Sequence, residues 1–421
     1  MKKSNILLIL LLSSVILLDM DSLAIYTVIG RIAIFDIIAI LSILFLLQNN
    51  IKLHKNFTEF NVFAILWLCL ILYILISGFL KSLFDINLNY SVIAVVGFKY
   101  LVYLILCVLL TQVLIQNDLN KTFLNIVFKL NYIVLVIGIS QILAINNVPP
   151  FNELFLWENI RGGGHRIAAT FRWQGILSFY LGIMLPLIIS DTIYKRKFMN
   201  YIILFSMILL GLYSGSRSFL IILIPSLFIF ILQYFIKNNF KVSFKRLLKT
   251  LLFIGSFVYI FYSYLLESKA VRRIFQMEGA IGLNSKGPSP RERIAEKGLE
   301  LWLESPIFGL GSGNLEKLIG KAAHNSYLEI LYENGIIGLA LFSLILLVYI
   351  TLAIKLFLHS ITKKSVYSLS LSIIILNIMT YQFTASAVQY RILWAFLPFI
   401  FAEFYRVHYD DISYPNKLNE N

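Results

Sequence analysis

The sequence predicts an all-α polytopic membrane protein with about twelve transmembrane helices. Of its 421 residues, 59% are hydrophobic and 14% are charged, and the mean hydropathy is +0.82. Soluble domains are about half apolar and a quarter charged. The apolar residues form runs of about 15 to 25, the length that a helix needs to cross a hydrocarbon core about 30 Å thick. Helices are expected because lipid offers no partners to free backbone groups, and the runs lack the alternation of barrel strands.

The predicted spans follow the apolar runs in chain order. The first run has the two lysines of a secretory signal, but Asp19 and Asp21 stand where small residues would mark a cleavage site. We therefore expect this run to be retained as the first span. The spans are predicted at residues 5–18, 32–47, 60–80, 91–115, 122–145, 174–193, 199–213, 218–235, 249–266, 335–358, 366–385 and 391–407.

Lysine and arginine residues predict the orientation, because cytoplasmic loops carry an excess of both. With the amino terminus inside, every predicted inside connection is basic, and the longer connections 146–173 and 267–334 fall outside. The larger, between spans 9 and 10, also carries cations, but long loops cross the bilayer regardless of charge. It is either a solvated basic loop or a surface that concentrates an anionic ligand. The inside cations are Lys52, Lys55, Lys121, Lys195, Arg196, Lys197, Lys237, Lys241, Lys245, Arg246, Lys249, Lys363 and Lys364.

Residues 1–421 are predicted to form a single integral membrane domain. The two cysteines, Cys69 and Cys107, lie inside apolar runs, so neither a disulfide nor a cysteine-ligated metal is expected. Asp36 and Lys99 lie inside predicted spans, where pairing with each other would stabilise the helix bundle. The acidic pair at residues 19 and 21 keeps a metal site open as a minor alternative.

The large outer loop contains a predicted helix that begins at Pro290. Ser289 is a suitable cap, proline suits the first helical position, and Glu292 completes a capping box. The helix is expected to end near Glu304, because the residue before Pro306 is disfavoured in helical conformation. Its first turn carries two arginines, each of which is either a surface cation or an anion ligand. These are Arg291 and Arg293.

Two further features follow that helix. The glycine-rich turn 309–313 could let a ligand approach the backbone, although it lacks the context of a nucleotide-binding motif. A second capping-box pattern, Ser326 with Glu329, predicts another helix start, and Gly335 is expected to end that short helix just before the next span. His324 would lie beside this helix start, which attracts anions, and is either a structural histidine or part of a site.

A polar turn interrupts the apolar stretch 199–235. Ser214, Gly215 and Ser216 are predicted to form a tight turn that places Arg217 at the outer end of a span. Arginine at the edge of the membrane is either an interfacial anchor or a functional group, since its charge is costly there.

The motifs of this region stand in a characteristic order. They are Ser214-Gly215-Ser216-Arg217, then Pro306-Ile307-Phe308-Gly309-Leu310-Gly311, then His324-Asn325-Ser326-Tyr327-Leu328-Glu329 followed by Gly335-Ile336-Ile337-Gly338. With the large loop between them, they resemble the O-antigen ligase and polysaccharide polymerase family. The resemblance covers about residues 199–350 by motif and the whole chain by the layout of its spans.

The resemblance implies a GT-C-like bundle of about twelve helices with a long periplasmic loop, which moves a glycan from undecaprenyl diphosphate to an acceptor hydroxyl without a metal or other cofactor. By position, Arg217 and one of Arg291 or Arg293 match the family's essential arginines, and His324 matches its essential histidine. The chemistry agrees, because neutral imidazole can accept the hydroxyl proton and guanidinium groups fit phosphate oxygens. His324 is thus the expected base, and the arginines are expected to bind the diphosphate.

The sequence leaves the identity of the acceptor open. A second lipid-linked repeat would make the enzyme a polymerase of O-antigen or capsule, lipid A core sugar would make it a ligase, and a protein hydroxyl would make it an oligosaccharyltransferase. The Asn, Ile and Lys bias of an AT-rich genome favours the polymerase. A flippase for the lipid-linked glycan is the alternative from another class, though paired broken helices and repeats are not evident.

The expected partners follow from this interpretation. They are the lipid-linked donor, an acceptor glycan and membrane lipid, with a chain-length regulator left open and no nucleic acid. We expect a multi-pass protein of the bacterial inner membrane whose active site faces the periplasm.

Overall fold

The computed structural model describes residues 3–17, 25–27, 30–48, 57–84, 90–146, 148–151, 166–237, 290–321 and 323–409. These residues are almost entirely helical, which confirms the predicted all-α class. The exception is a small antiparallel hairpin of β1 (Ile25–Thr27) and β2 (Gly30–Ile32), in which residue 26 lies opposite residue 31.

Thirteen α-helices occur in this described part of the chain. A short 3₁₀ helix, Ala387–Gln389, precedes the last of them. The α-helices are α1 (Lys3–Ile16), α2 (Ile34–Leu47), α3 (Thr58–Phe84), α4 (Tyr90–Gln116), α5 (Asn120–Ile145), α6 (Gln174–Lys195), α7 (Phe198–Tyr213), α8 (Arg217–Lys237), α9 (Pro290–Leu303), α10 (Asn314–Ile319), α11 (Ser326–Thr362), α12 (Val366–Tyr381) and α13 (Arg391–Tyr409).

Five of these helices, α3, α4, α5, α6 and α11, are long and apolar enough to cross a membrane, and α1, α2, α7, α8 and α12 are shorter apolar helices. The predicted span at 249–266 and much of the predicted loop 267–334 lie outside the described residues. The other predicted spans coincide with helices to within a few residues, except that the helix at the predicted span 335–358 begins earlier, at Ser326. The chain is therefore a multi-pass membrane protein.

The helices form two compact units. The first comprises Met1–Asn131, Ser285–Leu352 and Met379–Asn421, and the second comprises Tyr132–Asn284 and Ala353–Ile378. The α13 helix lies at the centre of the first unit, where Trp394 and Phe401 are fully buried. Trp394 meets Trp67 of α3 edge to face, with ring centroids 4.9 Å apart. Such aromatic pairs supply much of the core contact area.

The second unit is centred on α6. Most of this helix is buried, and Gly182 lets it approach α8 closely, since a Cβ there would lie 2.8 Å from Ile222 Cδ1. Asn377 of α12 donates from Nδ2 to the carbonyl oxygen of Gly182 at 2.8 Å and to Ser226 Oγ at 3.0 Å. A buried amide that bridges two helices in this way fixes their relative depth, because unpaired polar groups are costly in an apolar interior.

The predicted pairing of Asp36 with Lys99 is wrong. Asp36 instead accepts two hydrogen bonds from Arg391 of α13, from Nε to Oδ1 at 2.9 Å and from Nη2 to Oδ2 at 2.7 Å. Tyr103 Oη also donates to Asp36 Oδ1. Lys99 lies one helical turn before Tyr103 on α4. The packing of α2 against α4 places Tyr103, rather than Lys99, at the level of the Asp36 carboxylate.

Breaking this ion pair should destabilise the first unit. Asp36→Leu would leave Arg391 charged in a mostly buried place, where the loss of one partner costs about 3–5 kcal/mol. Asp36→Leu combined with Arg391→Met removes both charges and should lose less stability than Asp36→Leu alone. Thermal unfolding of the purified variants in detergent measures the difference. A double variant less stable than Asp36→Leu would contradict the prediction.

Candidate functional site

The polar turn between α7 and α8 lies in the second unit. Gly215 adopts a positive φ of 62°, and Ser214 Oγ accepts a hydrogen bond from the backbone N–H of Ser216 at 3.2 Å. Arg217 is the first residue of α8 and is exposed. The predicted turn is therefore confirmed, and it places a guanidinium group at a helix start, where backbone N–H groups attract anions.

A second arginine, which the sequence analysis did not single out, contacts this turn. Arg166 donates from Nε to the carbonyl oxygen of Ser214 at 2.9 Å, and the backbone N–H of Ile167 donates to the carbonyl oxygen of Tyr213 at 3.2 Å. The position of Arg166 in the predicted outer connection 146–173 was the available signal. That signal did not indicate which part of the chain Arg166 would contact, because its partner Ser214 lies 48 residues further along the sequence.

The α9 helix belongs to the first unit and begins at Pro290, as predicted, while its predicted cap Ser289 lies outside the described residues. Its buried side faces α11: a Cβ at Gly298 would lie 2.5 Å from Tyr332 Cε2, and Tyr332 Oη donates to the carbonyl oxygen of Ala295 at 3.2 Å. Arg291 and Arg293 in the first turn are exposed. The helix is thus fixed by one face and presents both arginines to solvent.

The glycine-rich turn serves a different purpose from the predicted one. Gly309 has a φ of 71°, and a Cβ there would lie 2.4 Å from the carbonyl carbon of Glu333. A Cβ at Gly335, with a φ of 66°, would lie 2.1 Å from the carbonyl oxygen of Ile307. The glycines therefore allow two stretches of backbone to touch, rather than leaving room for a ligand.

The contact between these stretches fixes the end of the short helix that forms the first part of α11. The backbone N–H of Leu310 donates to the carbonyl oxygen of Tyr332 at 2.9 Å, and that of Gly311 donates to the carbonyl oxygen of Glu333 at 2.7 Å. Gly335 leaves the helical conformation, with φ 66° and ψ −168°. The prediction that a short helix ends here, just before the membrane-spanning part of α11, is confirmed.

His324 lies immediately before the first turn of α11, and its side chain is partly exposed. Its backbone has a positive φ of 54°. Asn325 is the capping residue, because its Oδ1 accepts hydrogen bonds from the backbone N–H groups of Tyr327 at 2.9 Å and Leu328 at 3.1 Å. The histidine is therefore held in an uncommon backbone conformation by a well-capped helix.

The predicted capping box of Ser326 and Glu329 is wrong. Ser326 Oγ donates to the carbonyl oxygen of Ala385 at 2.9 Å and accepts from the backbone N–H of Ala387 at 2.9 Å. Glu329 Oε1 accepts from Gln389 Nε2 at 2.6 Å. The segment before α13 thus takes both side chains away from the helix end, and the neighbouring asparagine caps it.

In the first unit, Arg291 lies near enough to His324 for its charge to act on the imidazole. Partial burial lowers the pKa of His324 below its ordinary value of 6.5. The charge of Arg291 lowers the pKa further and Lys321 adds to this, whereas Glu316 opposes them. The imidazole is therefore neutral near neutral pH and can accept a proton. The sequence left open which loop arginine belongs with the histidine. The charge of Arg291 lowers the pKa of His324, and this favours Arg291 over Arg293.

A small cavity lies beside the first turns of α11. Its volume is about 20 Å³, which is room for about one water molecule. Ser312, Ser326, Glu329 and Glu333 contribute polar groups to its wall, with Trp67 on the apolar side. Within the described ranges no three His, Cys, Asp or Glu side chains are grouped to hold a metal ion. Asp19 and Asp21 lie outside these ranges, so a metal-independent site stays a prediction.

The region that contains these candidate residues matches a known protein family. Residues 202–343 match the family model described as O-antigen ligase. The match begins within α7 and ends within α11, so it includes Arg217, Arg291, Arg293 and His324. The predicted resemblance to this family is confirmed, and with the apolar helices it indicates a membrane glycosyltransferase of the O-antigen ligase or polymerase type. No curated protein matches the chain.

Proposed function

We propose that the protein transfers a glycan from undecaprenyl diphosphate to an acceptor hydroxyl on the outer face of the membrane, and that it polymerises repeat units of a surface polysaccharide. The observation that carries the proposal is that His324 and Arg291, whose charge helps to lower the pKa of the histidine, both lie inside the region that matches the O-antigen ligase family. A neutral base near a cation suits a reaction in which a hydroxyl loses a proton and a diphosphate leaves.

The proposed reaction forms one glycosidic bond and breaks another bond at the same carbon. The acceptor hydroxyl oxygen forms a bond to the anomeric carbon of the donor glycan, and the bond from that carbon to the diphosphate oxygen breaks. The hydroxyl proton passes to the imidazole of His324. The lipid diphosphate leaves with the bonding electrons and the additional negative charge.

The arginines are proposed to bind that negative charge. Arg217, at the start of α8, and Arg291, in the first turn of α9, can each donate two parallel hydrogen bonds to phosphate oxygens, with Arg293 in reserve. Both stand at helix starts, whose N–H groups favour anions. No metal ion would then be needed to stabilise the leaving group.

The test is a transfer assay with the purified protein, an undecaprenyl-diphosphate-linked repeat unit as donor, and a chelator. A ladder of extended lipid-linked repeats is the expected product. Transfer to lipid A core or to a protein hydroxyl instead would make the enzyme a ligase or an oligosaccharyltransferase. A protein that moved the donor across vesicles without forming any new bond would be a transporter, and the proposal would fail. Loss of transfer on chelation would restore the acidic pair at residues 19 and 21 as a candidate metal site.

The proposed orientation has its own test. A single cysteine introduced at Gly287 should react with a membrane-impermeant maleimide in intact cells or spheroplasts, because the large loop is proposed to face outward. A cysteine at Lys197, in a basic inside connection, is the matched control and should react only after the membrane is opened. Protection of the Gly287→Cys variant would place the loop in the cytoplasm and contradict the proposed active face.

The lowered pKa of His324 predicts a pH dependence of transfer. Because only neutral imidazole accepts a proton, the rate should be constant above pH 6.5, the ordinary histidine value, and fall as the pH drops through the lowered pKa. Arg291→Gln removes a cation that disfavours protonation, so the midpoint of the acid limb should move to higher pH. Profiles of kcat against pH for both proteins give the measurement. An unshifted midpoint in Arg291→Gln would show that this arginine does not act on the base.

A further inference from the structure

The segment 166–171 contacts the end of α7 at two successive backbone positions. The carbonyl groups at a helix end lack intrahelical partners. Ile167 supplies a backbone donor to the carbonyl oxygen of Tyr213, and Arg166 supplies a charged donor to that of Ser214. A cation at this end also interacts favourably with the helix dipole. The segment thus caps α7 immediately before the turn that leads to Arg217.

The same segment is anchored on its other side by α5. Gln141 is buried, and it contacts one residue twice: its Oε1 accepts from the backbone N–H of Ala169 at 2.9 Å, and its Nε2 donates to the carbonyl oxygen of Ala169 at 3.1 Å. Ala169 has a positive φ of 49°, which is unfavourable for alanine. The two hydrogen bonds between the Gln141 side chain and the backbone of Ala169 hold that backbone in this conformation.

The turn also contacts α6 through the buried side chain of Ser214. Ser214 is fully buried, its Oγ donates to the carbonyl oxygen of Gly211 at 2.6 Å, and it lies 3.2 Å from Ser178 Oγ of α6. Groups on three elements therefore converge on one residue three positions before Arg217: the end of α7, the segment 166–171 and α6. Buried hydrogen-bond networks of this kind select a single arrangement, because a half-satisfied network is costly.

We infer that Arg166 and Gln141 are positioning residues for Arg217. Gln141 fixes the segment 166–171, and Arg166 connects that segment to the carbonyl group of Ser214. The turn that is fixed in this way sets the direction of Arg217, the first residue of α8. The inference rests on the proposed binding of a lipid diphosphate by Arg217. It assigns the segment 166–171 to the donor site, although its anchoring residues need not touch the donor.

The test is a double-mutant cycle on the binding of farnesyl diphosphate, a short polyprenyl diphosphate that can be titrated in detergent. Arg166→Gln should weaken binding by about tenfold, as expected for the loss of a charge-assisted hydrogen bond. In an Arg217→Ala background the same substitution should change binding by no more than about twofold, because the group that it positions is absent. Arg166→Lys keeps a donor and a charge and should restore part of the affinity.

Two further variants test the role of Gln141 and provide a control. Gln141→Met should weaken binding in the same direction as Arg166→Gln and should also lose its effect without Arg217. Arg196→Gln removes an exposed arginine of the same unit at the end of α6 and should bind as the wild type does. Size-exclusion profiles and thermal unfolding confirm that each variant is folded. If Arg166→Gln is not, the cycle is run with Arg166→Lys and Gln141→Met.

The measured affinities distinguish the positioning role of Arg166 and Gln141 from the diphosphate-binding role of Arg217. Wild-type affinity in Arg166→Gln and Gln141→Met overturns the inference. An equal loss with and without Arg217 also overturns it, because these residues would then act independently of that arginine. Wild-type affinity in Arg217→Ala rejects the proposed diphosphate role of Arg217 itself. Since binding is measured without transfer, a failure of the proposed reaction would be seen separately in the transfer assay.

Discussion

His324→Ala is expected to reduce glycan transfer by about 100-fold to 10,000-fold, the usual contribution of a general base. The physical reason is that the acceptor hydroxyl would lose the group that takes its proton, while the arginines proposed to bind the diphosphate stay in place. Donor binding should therefore be close to that of the wild type. Transfer and donor binding are measured separately, at matched amounts of folded protein.

The control for this variant is another histidine. His359 lies near the end of α11, where its Nδ1 is 3.0 Å from Ser368 Oγ, and it has no place in the proposed site. His359→Ala should keep transfer near the wild-type rate. Normal transfer by His324→Ala would reject the base, and an equal loss of donor binding would show that His324 belongs to donor recognition instead.

Arg217→Lys is the second substitution with a large expected effect. Lysine keeps the positive charge but cannot donate two parallel hydrogen bonds from a planar group, so a bidentate contact to phosphate oxygens would be lost. We expect transfer to fall by about tenfold to 100-fold, since hydrogen bonds to charged groups contribute about 1.5–3 kcal/mol. Because the loss concerns the donor, KM for the lipid-linked glycan should rise.

The competing interpretation of Arg217 makes the opposite prediction. An arginine that only anchors the start of α8 at the membrane interface would be replaced by lysine without harm, because both side chains can extend to the head groups. Arg196→Lys, at the exposed end of α6, is the matched control and should be neutral. Near-normal transfer by Arg217→Lys would therefore favour the anchor and remove Arg217 from the donor site.

Much of the candidate site was accessible from sequence because its signals are local. Gly215 and Gly335 mark places where the chain leaves a helix, and both have positive φ in the structure. Proline at position 290 marked the start of α9 correctly. Signals of this kind depend on a few neighbouring residues, so they located Arg217 and Arg291 at helix starts before any tertiary contact was known.

The sequence-based predictions that were wrong share a physical cause: residues distant in the chain compete with near neighbours for the same hydrogen-bonding groups or the same space. Ser326 has the right neighbours to cap α11, but the segment before α13 binds its hydroxyl, and Asn325 takes over as the cap. The glycine-rich turn suggested room for a ligand, but the end of the short helix fills that space. A sequence pattern gives the capacity of a side chain to form a hydrogen bond, and the fold decides which partner it meets.

The sequence by itself determined the class of this protein, because hydrophobic runs of spanning length leave helices as the structure that satisfies its backbone in lipid. Helix ends followed from glycine and proline for equally local reasons. Tertiary structure decided the rest: that Asp36 pairs with Arg391, that Arg166 reaches Ser214, and that Arg291 lies close enough to His324 to lower its pKa. These contacts join residues far apart in the chain, and their geometry depends on the depth and rotation at which helices pack.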